Sequence, residues 1–345
     1  MQTTEFAPIL SQFGPLDDGA GPQPAQTLPV VPLTGGLINE TFSLGQHFVL
    51  QQVSPIFGAK VNDDIAALLP VLRAGGVPVP EIVLAGDGQP CVRQGLGVWR
   101  ILTRLPGQTL HRVRTAQQAK AAGEMVARFH TALLACPHPF AFTRPGAHDT
   151  PKHMHKLAEA VVAHPNHRLV AQVAPLAEEV QARWAQFGPA PALPERIIHG
   201  DLKVSNLLFD GDLVVGVLDL DTMARSSLDI ELGDALRSWC NATTEDDPQP
   251  QFQQDVFAQA LAGYLPLAQP WITAQERAAI APAVLRICLE LSARFLADAL
   301  VETYFGYDCA RFAKAGEHNL LRGANQLGLA RDVTRQLGQL QAVVG

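Results

Sequence analysis

This chain of 345 residues has little lysine, a deficit of positive charge and no long apolar run, and the last two features argue against particular classes of protein. Only six of the 26 basic residues are lysine, and the first hundred residues contain a single one, Lys60. The 33 acidic residues outnumber the basic ones, and the resulting net charge of −7 argues against a protein that binds nucleic acid. Since no run of about eighteen apolar residues occurs, we expect no membrane-spanning helix.

The cysteines are few and scattered. There are five, an odd number, and no two of them form a C-x-x-C pair. This pattern favours reduced thiols over a disulfide framework or a zinc site. The first ten residues have neither the basic start nor the apolar centre of a signal peptide. We therefore expect a soluble, cytoplasmic enzyme or binding protein.

The first hundred residues predict a small β-rich unit with one helix. The helix is predicted over 62–73, with Asn62 as its N-cap, and Pro70 should kink or shorten it. Turns containing glycine or proline separate the β-prone runs, which favours an antiparallel arrangement. The predicted strands are 27–33, 38–44, 48–53, 81–84, 90–93 and 98–103.

The sequence changes character at Leu105, Pro106 and Gly107, which read as a linker. Two domains are therefore predicted, 1–104 and 105–345. The second is expected to be mostly helical and to contain one β-hairpin. Its predicted helices are 115–136, 151–162, 169–187, 255–265 and 274–301, and the last of them opens with the capping-box pattern of Thr273 and Glu276.

The segment 197–209 carries the clearest chemical signal. Asp201 is followed five positions later by Asn206, between two apolar runs. A carboxylate of this kind can accept the proton of an attacking hydroxyl, and an amide oxygen is a ligand suited to Mg²⁺. A predicted hairpin then returns the chain to Asp219, beside Asn206. Together these residues predict phosphoryl transfer rather than an ordinary turn.

This pattern resembles the aminoglycoside phosphotransferase and choline kinase superfamily. The resemblance implies an α+β, bilobal protein-kinase-like fold, with a β-rich N-lobe over 1–104 that binds nucleotide and a mostly helical C-lobe over 105–345 that holds the catalytic loop and the acceptor. It implies ATP as the phosphate donor and Mg²⁺ as the metal. Fifteen positions separate Asp219 from Asp234, which leaves no room for a long activation loop and disfavours a protein substrate.

The resemblance also implies roles for the residues of the catalytic segment. The residue that matches Asp201 is the catalytic base, and those that match Asn206 and Asp219 hold magnesium. His199 would support the catalytic loop, and Lys203 would lie near the transferred phosphate. The residues assigned by resemblance to the nucleotide are Gly35, Gly36, Asn39, Thr41, Gln51, Thr103 and Leu105.

Three features depart from the usual pattern of the superfamily. The third strand, 47–53, lacks the expected lysine that pairs with the nucleotide phosphates, and Gln51 is the best candidate for that position. No glutamate stands clearly on the following helix, where Asp64 is a weak candidate. Glu231 also occupies a position where aspartate is expected.

A narrower resemblance, to N-acetylhexosamine 1-kinases, rests on short strings that occur in a similar order. They are residues 36–41, 50–53, 56–57, 148–151, 219–223, 233–237, 294–298, 304–305 and 318–320. This branch also has glutamine at the strand position. The resemblance implies transfer to the anomeric hydroxyl of N-acetylglucosamine or N-acetylgalactosamine, and acceptor contacts by His148, Asp221, Arg294, Tyr304 and His318.

Several alternatives stay open. Arg294 could form a structural ion pair with Asp298 instead of binding acceptor, and His130 is expected to be a core histidine. Five histidines between 148 and 167 favour a solvated helix face over a metal site. The acceptor could instead be an aminoglycoside, choline or homoserine, and a nucleotide-binding pseudokinase is the rival of a different class. The oligomeric state is left open.

Overall fold

A computed structural model of the chain describes residues 5–33 and 38–345. The N-terminal part is built around an antiparallel sheet with one long helix, as predicted. Its elements are α1 (Ala7–Leu10), β1 (Leu16–Asp17), β2 (Pro22–Gln23), β3 (Val30–Pro32), β4 (Glu40–Leu44), β5 (Phe48–Val53), α2 (Lys60–Ala74), β6 (Ile82–Val83), β7 (Val92–Gln94) and β8 (Gly97–Thr103).

The sheet has the strand order β3-β4-β5-β8-β6, and β7 also pairs with β8. All of these pairs are antiparallel. In this register Gln51 lies opposite Thr41 on one side and opposite Arg100 on the other. Three polar side chains thus form one row across the middle of the sheet, because residues directly opposite each other share a face.

Helix α2 differs from its prediction at both ends. It begins at Lys60, so Asn62 is a buried residue of the first turn and not the N-cap. Pro70 lies inside the helix, which nevertheless continues to Ala74. The apolar face of α2, including Leu68 and Leu72, is fully buried, and this packing offsets the backbone hydrogen bond that proline cannot donate.

The C-terminal part is mostly helical, as predicted, with two small sheets. Strands β11 and β12 form the expected hairpin, with β9 beside β11, while β10 pairs with β13. The elements are β9 (Gln108–Thr109), α3 (Ala116–Leu133), α4 (Thr150–Ala163), α5 (Val170–Trp184), β10 (Glu195–Ile198), β11 (Leu207–Asp210), β12 (Leu213–Val217), β13 (Ala224–Ser227), α6 (Leu228–Trp239), α7 (Gln254–Ala268), α8 (Ala274–Val301) and α9 (Ala315–Val344).

The predictions were most accurate where a cap was legible in the sequence. Helix α8 has the predicted bounds, and the capping box of Thr273 and Glu276 is present. Helices α6 and α9 were missed. The buried face of α9 contains Asn319, Asn325 and Gln326 among its apolar residues, so its hydrophobic periodicity is weak.

Two large hydrophobic clusters organise the described part of the molecule, and a third cluster of three buried residues lies on α8. The smaller of the two large clusters lies in the N-terminal part and contains Phe6, Phe42 and Trp99, whose rings are in mutual contact. The larger one is continuous from α2 through α3 to α8, so α2 is packed against both parts of the chain. Among the described residues, no helix is long and apolar enough to cross a membrane.

Candidate active site

The catalytic loop connects β10 to β11 and depends on a glycine. Gly200 has φ +81°, and a Cβ at this position would lie 2.5 Å from the carbonyl oxygen of Thr222. Only glycine adopts this backbone without strain and allows the approach. The tight turn brings Asp201 beside the residues that follow β12.

Asp201 and Asn206 are in direct contact. The Nδ2 amide of Asn206 donates to the backbone oxygen of Asp201 at 2.7 Å and to its Oδ2 at 3.1 Å. The ammonium group of Lys203 also pairs with Oδ2 of Asp201. Burial lowers the pKa of Lys203, but the charges of Asp201 and Asp219 outweigh it and the net shift is upward, so Lys203 stays cationic.

Asp219 follows β12 in a left-handed conformation, with φ 60° and ψ 60°. Non-glycine residues adopt this region only where their surroundings hold them there. Burial, and then the negative charges of Asp221 and Asp201, raises the pKa of Asp219 to about 6. The site thus gathers carboxylates whose mutual repulsion a bound cation would relieve.

The donors beside Asp219 fit Mg²⁺. Because the Nδ2 of Asn206 is committed to Asp201, its Oδ1 is left as an acceptor, and no hydrogen bond reaches that oxygen from residues 5–33 or 38–345. One carboxylate, one amide oxygen and the phosphates of a nucleotide are a typical set for this ion. Within the part of the chain that the structure describes, no group of three or more His, Cys, Asp or Glu side chains could hold a metal ion without other ligands.

The loop is held in place from behind by His199 and Glu231. The ring of His199 donates from Nε2 to the carbonyl of Leu218 at 2.7 Å and accepts from the N–H of Asp201 at 3.3 Å. The Glu231 carboxylate accepts the backbone N–H groups of His199 at 2.7 Å and Gly200 at 2.9 Å. Glutamate at 231 therefore fixes the loop backbone directly.

A buried polar chain continues from Glu231 into the C-terminal part. His130 donates from Nε2 to Glu231 at 3.1 Å and accepts at Nδ1 from the hydroxyl of Tyr264 at 2.9 Å. Burial raises the pKa of Glu231, but His130 and His199 outweigh it, so the net shift is downward and Glu231 stays ionised. The prediction that His130 is a satisfied core histidine is confirmed.

On the nucleotide side, Gly35 and Gly36 lie outside the described residues. Asn39 accepts the N–H of Ser54 at 2.8 Å and donates to Asp221 at 2.7 Å. The hydroxyl of Thr103 accepts the N–H of Glu81 at 2.9 Å. The side chain of Leu105 lies over Gly216, where a Cβ would come within 2.8 Å of its Cδ1. Thr103 and Leu105 therefore lie at the junction between β8 and the C-terminal hairpin.

Gln51, the predicted stand-in for the strand lysine, is bonded to protein atoms on both sides. Its Nε2 donates to Thr41 at 3.1 Å, and its Oε1 accepts from Nε and Nη2 of Arg100 at 3.0 and 2.8 Å. Arg100 in turn binds both oxygens of Asp221, at 2.6 and 2.9 Å. Since Asp221 is fully buried, the structure places it between the two parts of the chain and not on an open acceptor surface.

Asp64 does not take the role of the missing glutamate on the helix. Its carboxylate accepts from His138 at 2.8 Å and from the N–H groups of Ala141 and Phe142 at 2.9 Å. All of these partners lie in the segment between α3 and α4. Asp64 therefore ties α2 to the C-terminal part of the chain.

A second cluster of charged residues lies where α8 faces the segment before α4. Glu290 is fully buried and binds His148 at 3.0 Å and Thr150 at 2.6 Å. Burial lowers the pKa of His148, but Glu290 and Asp234 outweigh it and the net shift is upward. Because Asp234 also raises the pKa of Lys203, its charge reaches both this cluster and the catalytic loop.

The alternative proposed for Arg294, an ion pair with Asp298, is wrong. Arg294 instead lies 3.8 Å from Glu290, one turn earlier on α8. The carboxylate of Asp298 is used otherwise, because it caps the end of the helix. It accepts from the backbone N–H groups of Thr303, Tyr304 and Phe305 and from the amide of Asn319.

The last two predicted acceptor residues differ in accessibility. Tyr304 is 60% exposed, and its hydroxyl accepts from Arg144 at 3.1 Å. His318 is buried, with Nε2 bonded to Asp246 at 2.7 Å and Nδ1 accepting the N–H of Asp308 at 3.2 Å. Both ring nitrogens of His318 are thus used within the protein, whereas Tyr304 is open to solvent.

Comparison with known proteins agrees with this geometry. Residues 29–271, more than half of the chain, match the APH phosphotransferase enzyme family. The chain belongs to this family. It therefore belongs with the kinase-like phosphotransferases that the sequence motifs resemble.

Curated relatives of the chain have low sequence identity to it. The chain is 28% identical to a homoserine kinase of Pseudomonas aeruginosa over 176 aligned residues, and this alignment covers 51% of the chain and 53% of that enzyme. It thus spans about half the length of that relative. A homoserine kinase of Zymomonas mobilis is 24% identical over 262 residues, 75% of the chain and 77% of the enzyme.

Solved structures of the APH family share the fold. The GDP complex of aminoglycoside 2'-phosphotransferase-IIIa superposes with a TM-score of 0.59 at 17% identity, covering 97% of this chain and all of the other. The predicted bilobal kinase-like fold is confirmed by this similarity. At such low identity the comparison shows the fold and carries no information on substrate.

Sequence reasoning missed two residues that organise this APH-family site, Arg100 and Glu290. Both lie among apolar residues, Arg100 in β8 and Glu290 in the middle of α8. A charged residue in such a run must find a partner when it is buried. That signal was available for both positions, but the partners are remote in sequence and could not be named.

Proposed function

We propose that this chain is an ATP- and Mg²⁺-dependent small-molecule kinase that transfers the γ-phosphate to a hydroxyl group. The observation that carries the proposal is the contact of Asp201 with Asn206 and Lys203 beside Asp219. This arrangement supplies a proton acceptor, a cation and two magnesium ligands in one cleft. Phosphoryl transfer needs little else, because it depends on positioning and on stabilisation of charge.

Each residue has a distinct task in this proposal. Asp201 accepts the proton of the attacking hydroxyl, whose oxygen then bonds to the γ-phosphorus while the bond to ADP breaks. Lys203 sits beside Asp201 and offsets negative charge on the transferred group. Asn206 and Asp219 hold magnesium, which neutralises charge on the nucleotide phosphates when bound. His199 positions the loop and makes no contact with substrate.

For the acceptor we propose the anomeric hydroxyl of an N-acetylhexosamine, N-acetylglucosamine or N-acetylgalactosamine. The support is the narrower sequence resemblance, together with a set of hydrogen-bonding side chains on the acceptor side: His148, Arg294 and the exposed Tyr304. Neutral polyols are bound by such groups, and aromatic rings cover their apolar faces. Asp221 and His318 act on this surface only indirectly, because both are buried.

Homoserine is the second candidate, and a specific observation favours it. The side chain of Arg294 is 16% exposed on α8, and a guanidinium group is well suited to bind the carboxylate of an amino acid. The relatives from Pseudomonas and Zymomonas carry that name. Choline is less favoured, since its recognition commonly uses an aromatic cage and aromatic residues make up only 6% of the chain.

One assay separates these readings. ATP consumption is measured with N-acetylhexosamines, plain hexoses, homoserine, choline and aminoglycosides, in the presence and absence of Mg²⁺. We expect Mg²⁺-dependent turnover with an N-acetylhexosamine above all other acceptors. Turnover with homoserine alone would replace the sugar assignment, and nucleotide binding without turnover on any acceptor would identify a pseudokinase and overturn the proposal.

A further inference from the structure

Arg100 is the charged member of the row of three polar residues that it forms with Gln51 and Thr41. It stands in β8, opposite Gln51, and is only 2% exposed. Its guanidinium donates to Gln51 and Asp221 and, through Nη1, to Asn62 at 3.2 Å. A buried arginine with this many acceptors in fixed positions has one available geometry.

The partner of Arg100 belongs to the C-terminal part of the chain. Asp221 is 121 positions away in sequence, within the 3-10 turn Leu220–Thr222 that follows Asp219. Both Asp221 oxygens are held by Arg100, and one also accepts from Asn39. The sheet and helix α2 of the N-terminal part are therefore bonded to the turn that carries the magnesium ligand.

Asp219 needs such support. It occupies the left-handed region, which costs a non-glycine residue free energy and persists only where the surrounding structure holds it. Strand β12 fixes the chain before it, and the turn bonded to Arg100 fixes the chain after it. A second bond, from the Thr222 hydroxyl to the carbonyl of His199 at 2.9 Å, links the same turn to the catalytic loop.

We propose that Arg100 is a positioning residue, which holds Asp219 through Asp221 in the geometry that binds nucleotide-bound magnesium. This inference rests on the proposed function. Gln51, at the strand position, serves as the hydrogen-bonded link between Arg100 and Thr41. The cation of this network stands on β8, next to Gln51 on β5, and pairs with Asp221, two residues after Asp219.

The test compares Arg100→Met, Arg100→Lys and Asp221→Asn with the unchanged chain. The readouts are the Mg²⁺ concentration for half-maximal activity, kcat, the KM of the acceptor, and thermal stability. Replacing a residue that orients a metal ligand typically lowers metal affinity by about 10- to 100-fold. We expect Arg100→Met to raise the half-saturating Mg²⁺ by that factor and to lower kcat, with an unchanged acceptor KM. Arg100→Lys should be intermediate, because one ammonium cannot replace the fork of guanidinium donors.

A matched control and a double variant make the result specific. Arg73, on α2, forms only a surface pair with Glu81 at 2.9 Å, so Arg73→Met should leave all four readouts near those of the unchanged chain. The double variant, Arg100→Met with Asp221→Asn, should have a half-saturating Mg²⁺ and a kcat no worse than those of the more impaired single variant, because the two residues act through one contact. Additive losses would contradict the pairing.

The inference and the proposed function fail in different ways. If Arg100→Met lowers thermal stability while half-saturating Mg²⁺ and kcat stay within about twofold of the unchanged chain, the arginine is only structural and the inference is overturned. If the unchanged chain phosphorylates no acceptor, the proposed function fails. Calorimetry of ADP binding with Mg²⁺ then decides the inference alone: a loss of about 10- to 100-fold in Arg100→Met supports it, and equal affinity overturns it.

Discussion

The clamp that Glu231 forms on the catalytic loop gives a prediction whose size follows from its contacts. Oε1 accepts from both His199 and His130, whereas within residues 5–33 and 38–345 Oε2 accepts only from the N–H of Gly200. In Glu231→Gln the single remaining oxygen is best placed at the Oε1 site, so the new NH₂ group faces the N–H of Gly200. One donor is left without an acceptor, against a side chain that is 1% exposed.

An unsatisfied buried group of this kind costs about 1–3 kcal/mol. The free energy of unfolding, measured by urea denaturation, should fall by that amount in Glu231→Gln. Because Gly200 directly precedes Asp201, the loop should also shift, and a displacement of about 1 Å at a reacting group can lower kcat by about 100-fold. We therefore expect kcat to fall by more than stability alone explains, at a temperature where the variant is fully folded.

Glu276→Gln is the matched control. Glu276 is also a fully buried carboxylate, bonded to Arg196 at 2.7 Å and to the N–H of Thr273 at 2.8 Å, but it lies in the first turn of α8 and none of its described hydrogen bonds reaches the loop. It should lose comparable stability with an unchanged kcat. Equal kcat values for Glu231→Gln and the unchanged chain would refute the reasoning that Glu231 positions the loop.

Two further predictions concern the loop glycine and Glu245, a carboxylate that pairs with Arg237 and Arg322. Gly200 has φ +81°, and the Cβ of alanine would lie 2.5 Å from the carbonyl oxygen of Thr222. Gly200→Ala should therefore lower the free energy of unfolding, measured by urea denaturation, by about 1–3 kcal/mol or more, and should also reduce kcat. A variant as stable as the unchanged chain would contradict this. Burial raises the pKa of Glu245, but Arg237 and Arg322 outweigh it and hold that pKa at about 2, below its ordinary value of 4.5. The stability that the ionised Glu245 contributes is therefore present above pH 4.5 and is lost as the pH falls through about 2. The difference in unfolding free energy between the unchanged chain and Glu245→Gln should shrink between about pH 5 and pH 2. A difference independent of pH would show that the pairs of Glu245 contribute nothing.

Sequence reasoning predicted the parts of the site that lie close together along the chain. Asp201, Asn206 and Asp219 belong to one loop and one hairpin, and hairpin pairing bonds Leu218 to Asn206, which brings Asp219 beside them. Helix α8 was also predicted accurately, since its capping box is a local signal. Local chemistry and short-range pairing suffice for such features.

Contacts between distant segments could not be predicted in the same way. The scarcity of lysine in the first hundred residues indicated that the strand cation was missing, but not that Arg100 would form a buried pair with Asp221. That pair depends on strand register, which sets Arg100 opposite Gln51, and on packing that brings Asp221 against the sheet. Likewise, the pairing of Arg294 with Glu290 instead of Asp298 depends on which side chain the end of α8 uses as its cap.

The central claim is that this chain phosphorylates a small-molecule hydroxyl with Asp201 as the base, and phosphorus NMR of the reaction product tests it most directly. With ATP, Mg²⁺ and N-acetylglucosamine or N-acetylgalactosamine, we expect a new phosphate signal coupled to the anomeric proton of the sugar. Asp201→Asn should form this product about 10²- to 10⁴-fold more slowly, as loss of a general base does, and Asp219→Asn should be comparably impaired. A product formed at the unchanged rate by Asp201→Asn, or no phosphorylated acceptor from the unchanged chain, would contradict the account.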